Sequence, residues 1–178
     1  FCAKLNELTI RWLNSGTIDT LVIGLRWPLL KPEVTRPPAN LVTRLDGLDQ
    51  ALERLERLPR IILMGPVPKL EFPAPACITL GWESRCEVPR EEFEAATALT
   101  WRELRKLAAK HPNLQLVDPT GYFCGDRRCP VMRDGYALYW DDNHIAATAA
   151  RAFARRYLAD PTRYAPPPVR TGDIANDR

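Results

Sequence analysis

The chain has 178 residues, of which 46% are hydrophobic and 26% charged, with a formal net charge of +3. That is one domain with an ordinary soluble composition, which excludes disorder along most of its length and gives no sign of a nucleic-acid partner. The longest uncharged apolar run, near Thr20–Leu25, is far shorter than the ~20 residues of a membrane-spanning helix.

The chain opens on Phe1, with no basic segment followed by an apolar stretch and a cleavage site. It therefore reads as a processed chain or a piece of a longer one. Leu5, Leu8, Trp12 and Leu13 stand at helical spacing and predict a helix over 3–13, ended by Asn14-Ser15-Gly16. The apolar, β-branched run at Thr20–Leu25 predicts a strand buried on both faces, as in a parallel sheet. A proline-rich loop follows over 29–40, and leucines at 45, 48, 52, 55 and 58 mark an amphipathic helix over 44–58. Arg60–Met64 is a second buried strand, closed by Gly65-Pro66-Val67-Pro68, and 69–89 reads as irregular. A helix over 90–110 with Phe93, Ala96, Leu99, Leu104 and Leu107 inward is stopped by His111-Pro112, and Leu114–Val117 is a third strand. A short extended piece at Tyr136–Tyr139 precedes an Ala-rich last helix over 144–158. From residue 160 to 178 the prolines suggest a flexible tail, leaving 1–159 as the domain. The alternation of helices and strands predicts an α/β three-layer sandwich around a parallel sheet. In such sheets ligands bind at the carboxyl ends of the strands. The loops after Leu25, Met64 and Val117, and the segment before His144, are the places to look.

Five cysteines are present: Cys2, Cys77, Cys86, Cys124 and Cys129. Spacings of nine and five, with His111 and His144 as the only histidines, do not match zinc knuckles. Two local disulfides, Cys77–Cys86 and Cys124–Cys129, fit better. Each would contribute about 2–3 kcal/mol and would point to an oxidising compartment. The alternative is that all are reduced thiols. Cys2 is left over, with any partner outside this sequence.

The sharpest local pattern is Trp140-Asp141-Asp142-Asn143-His144. An Asp three residues before a His can orient the ring and stabilise the imidazolium, leaving the other ring nitrogen to act as a general base. The plainer alternative is that Asp142 or Asn143 caps the following helix. A triad also needs a nucleophile. Ser15 and Ser84 are the only serines; neither sits on a strand-to-helix turn.

Four stretches together resemble a known family: Ile18–Trp27, ending in Arg26-Trp27; Ile61–Pro68, a strand leading into a proline loop; Leu116-Val-Asp-Pro with Cys124 and Cys129; and Leu138-Tyr-Trp-Asp-Asp-Asn-His-Ile145. The chain resembles the SGNH-hydrolase-type domain at the C-terminus of bacterial membrane-bound acyltransferases, which O-acylate lipopolysaccharide or other glycans. The resemblance implies a flavodoxin-like fold and Asp141 orienting His144 as base for a serine. It also implies Arg26 and Trp27 shaping the acyl or oxyanion pocket. The reaction it implies takes an acyl donor and a glycan acceptor and needs no metal or cofactor. The partner domain would be an upstream membrane acyltransferase, and the location the periplasmic face of the inner membrane. The family's Gly-Asp-Ser-His block is absent here. The first, central strand is therefore expected to be missing, leaving a gap in the sheet, either because the sequence is truncated or because the chain is a degenerate relative. Two alternatives stand beside the transferase: a free-standing SGNH esterase or deacetylase, and a non-catalytic glycan-binding domain.

Overall fold

Three short parallel strands carry the fold. The structure, a computed structural model, describes residues 2–31 and 33–166, with side chains from Lys4 onward. In chain order, helix α1 (Cys2–Leu13) leads to strand β1 (Thr20–Gly24), helix α2 (Ala39–Glu53) and strand β2 (Arg60–Met64). Two short helices, α3 (Ala74–Thr79) and α4 (Glu83–Cys86), and strand β3 (Val88–Pro89) precede the longest helix, α5 (Arg90–Lys110). Strand β4 (Leu114–Val117), helix α6 (Thr120–Phe123) and strands β5 (Arg128–Cys129), β6 (Met132–Arg133) and β7 (Tyr136–Ala137) follow. Helix α7 (Ala147–Ala159) and a 3-10 turn at Pro161–Tyr164 complete the described chain.

The main sheet has the order β1-β2-β4, all parallel, with Val22 opposite Ile62 and Met64 opposite Val117. Because successive side chains point to opposite faces, the sheet sorts its residues into two cores. Ile61, Leu63, Leu114 and Leu116 pack with α2 and α5 through Leu48, Leu52, Trp101 and Leu104. Ile62 and Val117 pack on the other face with α6 and α7 through Tyr122, Phe153 and Tyr157. The result is the expected three-layer α/β arrangement.

Strand β1 differs from expectation. It is exposed at every second residue, and Val22 is 60% exposed although its partner Ile62 is 5% exposed. An apolar run is the same in a central and an edge strand; here it lies at the edge. Among the described residues nothing pairs with the outer side of β1. The three strands are contiguous, so the expected gap is an open edge and not a break inside the sheet. Helix α1 forms where predicted, but Leu5, Leu8 and Trp12 are more than half exposed, and Leu13 is its one fully buried side chain among those described.

Other departures have local causes. Helix α2 starts five residues early, directly after Pro37-Pro38. Proline is compatible with a helix entrance because its φ is already set and no N–H is lost from the ladder. The last leucines of its repeat, Leu55 and Leu58, stay buried in turns whose carbonyls accept the Asn113 side-chain N–H at 3.2 and 2.9 Å. The segment 69–89 is not irregular throughout: it holds α3, α4 and β3. Both expected disulfides are present, Cys77–Cys86 and Cys124–Cys129. Antiparallel pairing of Val88 with Cys129 ties the two closed loops together. The start of the expected tail packs: Tyr164 is buried edge-on against Phe153 at 5.1 Å, and its carbonyl accepts the Asp118 N–H at 2.8 Å. The Cys2 side chain and residues 167–178, on which the unpaired-thiol and flexible-tail expectations fall, lie outside the described residues.

Candidate functional site

The loops leaving β1 and β2, together with residues 143–145, enclose a cavity of about 480 Å³ whose lining includes Arg26, Trp27, Met64, Lys69, Asn143 and His144. It lies at the carboxyl ends of the first two strands, as the fold class leads one to expect. The loop after β4 takes no part. Asp118 instead accepts the Thr120 N–H at 2.9 Å, and its burial pushes its carboxyl above the usual carboxylate range.

Two tight contacts fix the cavity floor. The Trp27 indole N–H donates to the Met64 carbonyl at 2.8 Å, joining the loop after β1 to the end of β2. Trp27 is 5% exposed, so its ring is a packing anchor that presents only a margin to the cavity. Next to Met64, a side chain at Gly65 would place its first carbon 2.2 Å from Trp101 Cη2. Only glycine lets β2 exit over α5 at this point.

The Asp141–His144 segment is a turn built by one carboxylate. Asp141 Oδ1 accepts the backbone N–H groups of Asn143 and His144 at 2.8 and 2.7 Å, and Oδ2 lies 2.6 Å from His144 Nδ1. The Trp140 N–H donates to the His144 carbonyl at 2.7 Å, and Tyr139 bridges to Ile145. From the other side, the Leu70 and Ala74 N–H groups donate to the Asp142 and Asp141 carbonyls at 2.8 and 3.0 Å. The His144 and Asn143 backbone N–H groups, then the imidazole, hold the Asp141 carboxyl well below the usual carboxylate range. An ionised Asp141 keeps a proton on Nδ1 and leaves Nε2 as the lone-pair nitrogen. Among the described residues no side chain bonds Nε2, and the His144 side chain is 70% exposed.

This turn corrects the predicted start of the last helix. Helix α7 begins at Ala147, and neither Asp142 nor Asn143 caps it; its N-cap is Ala146, with no side-chain cap. Asp141 and His144 are thus in direct contact, and Arg26 and Trp27 line the cavity together with His144. Lys69 and Asn143 line it too; the sequence points to Asn143 only as a candidate helix cap and does not single out Lys69. The available signal for Lys69 was its place as the first charge after the Gly65–Pro68 loop. Its Nζ is 3.6 Å from Asp142 Oδ2. Neither serine is here. Ser15 Oγ donates to the Trp12 carbonyl at 2.6 Å near the amino end of β1, and Ser84 lies on α4. Among the described residues no group of three His, Cys, Asp or Glu side chains is placed to hold a metal.

A family model described as "SGNH domain (fused to AT3 domains)" matches residues 1–159. No curated protein matches the chain. Among solved structures, the periplasmic domain of the lipopolysaccharide acetyltransferase of Salmonella ser. Paratyphi A aligns with a TM-score of 0.60 at 15% identity. The alignment covers 88% of this chain and 61% of that one. At this identity the likeness is one of fold, and the chain spans less than two thirds of its neighbour's length.

Proposed function

Given that the chain belongs to the family of SGNH domains fused to AT3 domains, we propose that it is the SGNH portion of a membrane acyltransferase. The protein would transfer an acyl group, such as acetyl, to hydroxyls of a cell-surface polysaccharide or lipopolysaccharide at the periplasmic face of the inner membrane. The observation that carries the reading is the Asp141–His144 pair, 2.6 Å apart at Nδ1, opening onto a cavity at the strand ends.

In this reading Asp141 holds the imidazole in one tautomer and stabilises it once protonated. His144 Nε2 takes the proton of a serine hydroxyl as its oxygen attacks the acyl carbonyl of the donor. The donor's acyl bond breaks, its leaving group takes the proton back from Nε2, and an acyl-serine remains. A sugar hydroxyl then attacks that ester, with Nε2 again accepting the proton; the acyl–Oγ bond breaks, Nε2 returns the proton to Oγ, and serine is regenerated as the acylated sugar departs. In this reading the serine is supplied from outside this sequence, whose two serines, Ser15 and Ser84, are not on the cavity wall. The outer edge of β1, unpaired among the described residues, supports this, because a further strand could pair there. Backbone N–H groups near that serine are the natural oxyanion donors. Arg26 and Trp27 shape the pocket, Trp27 by fixing the loop and Arg26 by its exposed charge.

The exposure of His144 favours a second reading, hydrolysis with water as acceptor. The lack of a serine in the cavity favours a third, a binding domain without catalysis. Acyl transfer to polysaccharide by the full-length protein tests all three. Loss of transfer in His144→Ala, with the protein still folded, is expected. Product appearing only as free acid would select the esterase, and activity untouched by the substitution would sink the catalytic reading.

A further inference from the structure

The charged side chains on the cavity wall are all of one sign. Arg26 and Lys69 line it, and no aspartate or glutamate does. The neighbouring carboxylates are already engaged: Asp141 with His144 and two backbone N–H groups, Asp142 with the Asn143 side-chain amide. Arg26 is exposed and has no hydrogen-bond or ion-pair partner among the described residues. Lys69 is ion-paired with Asp142 at 3.6 Å, a looser contact than a hydrogen bond, and its side chain is 48% exposed, so its N–H groups can still reach a ligand. By contrast Lys110 closes to 2.6 Å on Asp49. One cation comes from the loop after β1 and the other from the loop after β2. Both therefore border the space into which His144 also opens, each with donors to spare.

A guanidinium left without an anion in a concave site is suited to a carboxylate or phosphate, which it meets with paired, charge-assisted hydrogen bonds. An ammonium nearby adds a point charge of the same sign. We infer that this cleft binds an anionic group of the substrate, a carboxylate or a phosphate ester, on Arg26 and Lys69, beside the hydroxyl or ester on which His144 acts. The inference rests on the acyl-transfer reading above and deepens it, since it specifies a charged substrate. The same chemistry could be carried by an acidic acceptor sugar or by the acyl donor.

The test uses the full-length membrane protein and four substrate pairings. A uronate-containing glycan is compared with the same glycan after reduction of its carboxylates to alcohols, each with a neutral ester donor and with a phosphate-bearing donor. The expected result is a preference in kcat/KM for the charged substrate that shrinks about tenfold in Arg26→Gln and in Lys69→Gln, roughly the value of one hydrogen bond to a charged group. Arg26→Lys should recover part of it, and added salt should weaken it. If the preference follows the acceptor, the anion belongs to the sugar; if it follows the donor, to the acyl carrier. Either supports the subsite. Equal rates for charged and neutral substrates, or a preference that survives both substitutions, would overturn it. His144→Ala in the same assay keeps the two ideas apart. Transfer that persists there removes the acyl-transfer reading, whereas transfer that needs His144 but ignores charge removes only the anion subsite.

Discussion

Both histidines of the chain lie 2.6 Å from an aspartate, yet the two pairs sit in different surroundings. His144 meets Asp141 through Nδ1, three residues away, on a turn at the cavity, and its side chain is 70% exposed. His111 meets Asp49 through Nε2, 62 residues away, at the end of α5, and its side chain is 11% exposed. Asp49 also accepts from Lys110 at 2.6 Å. That carboxylate is therefore shared between two residues of one helix end and clamps α2 to α5. Lys110 first, then His111, holds it below the usual carboxylate range. The lesson is that an Asp–His distance does not identify a base. What distinguishes the pairs is the burial of the ring and the space beside it: His144 is exposed on a cavity wall, whereas His111 is buried at a helix end.

The contrast can be broken most sharply by removing each imidazole. His144→Ala is expected to lower acyl transfer by at least ~10³-fold with little change in melting temperature, whereas His111→Ala should keep activity and lower the melting temperature. Reversed phenotypes would exchange the two roles. Asp141→Asn should cost about 10²–10⁴-fold in kcat, because the amide can hold the ring in the wrong tautomer; a near-normal kcat would mean that the turn alone positions His144. Replacing Cys77 and Cys86 together by alanine should destabilise by about 2–3 kcal/mol, read from urea midpoints. On the acyl-transfer reading it should also lower activity, since Leu70 and Ala74, just before the bridged segment, donate to the carbonyls of the Asp141–His144 turn. Asp49→Ala should cost about 1–2 kcal/mol, or a fall of about 3–6 °C, with kcat unchanged.

The smallest expected effect is on the acid side. Both Asp49 and Asp141 have carboxyl groups lowered by their partners. A carboxylate with a depressed folded value contributes stability that is complete above its unfolded value of about 3.9 and is lost as pH falls toward the folded one. Urea midpoints should therefore hold between pH 7 and 5 and decline below pH 4. Asp49→Asn should flatten that decline, and an unaltered curve would show that the clamp contributes no acid sensitivity.

Much of the scaffold was legible because burial writes itself locally. Ile61–Leu63 is a short apolar run, Leu114–Val117 is apolar but for Gln115, and α5 carries its apolar residues at helical spacing from Phe93 to Leu107. Helix α3 was hidden by Pro73 and Pro75, which read as loop but sit at the helix entrance, where proline is tolerated. The edge position of β1 was hidden for a different reason: whether a neighbour exists is not written in the strand itself. The site divides in the same way. Asp141 and His144 are near in sequence and their pairing needs only a turn, so spacing sufficed to suggest it. Lys69 joins them through the return of β2 beside β1, a tertiary fact that no local pattern contains. Asp49 and His111 lie on different helices, and only their packing brings them together.

The open side of β1 also bears on how this chain behaves in solution. Natural edge strands are commonly blunted by a lysine, a proline or a bulge that discourages further pairing. Thr20-Leu21-Val22-Ile23-Gly24 has none of the two residue types, and Val22 stands out from it with 60% of its surface in water. Such a strand is a template for any extended segment that reaches it. At rising concentration this chain, as residues 1–178 on their own with no further strand laid on that edge, is expected to associate edge to edge through β1. A lysine at Val22 should then raise its solubility while leaving the cleft at the other end of the strand untouched.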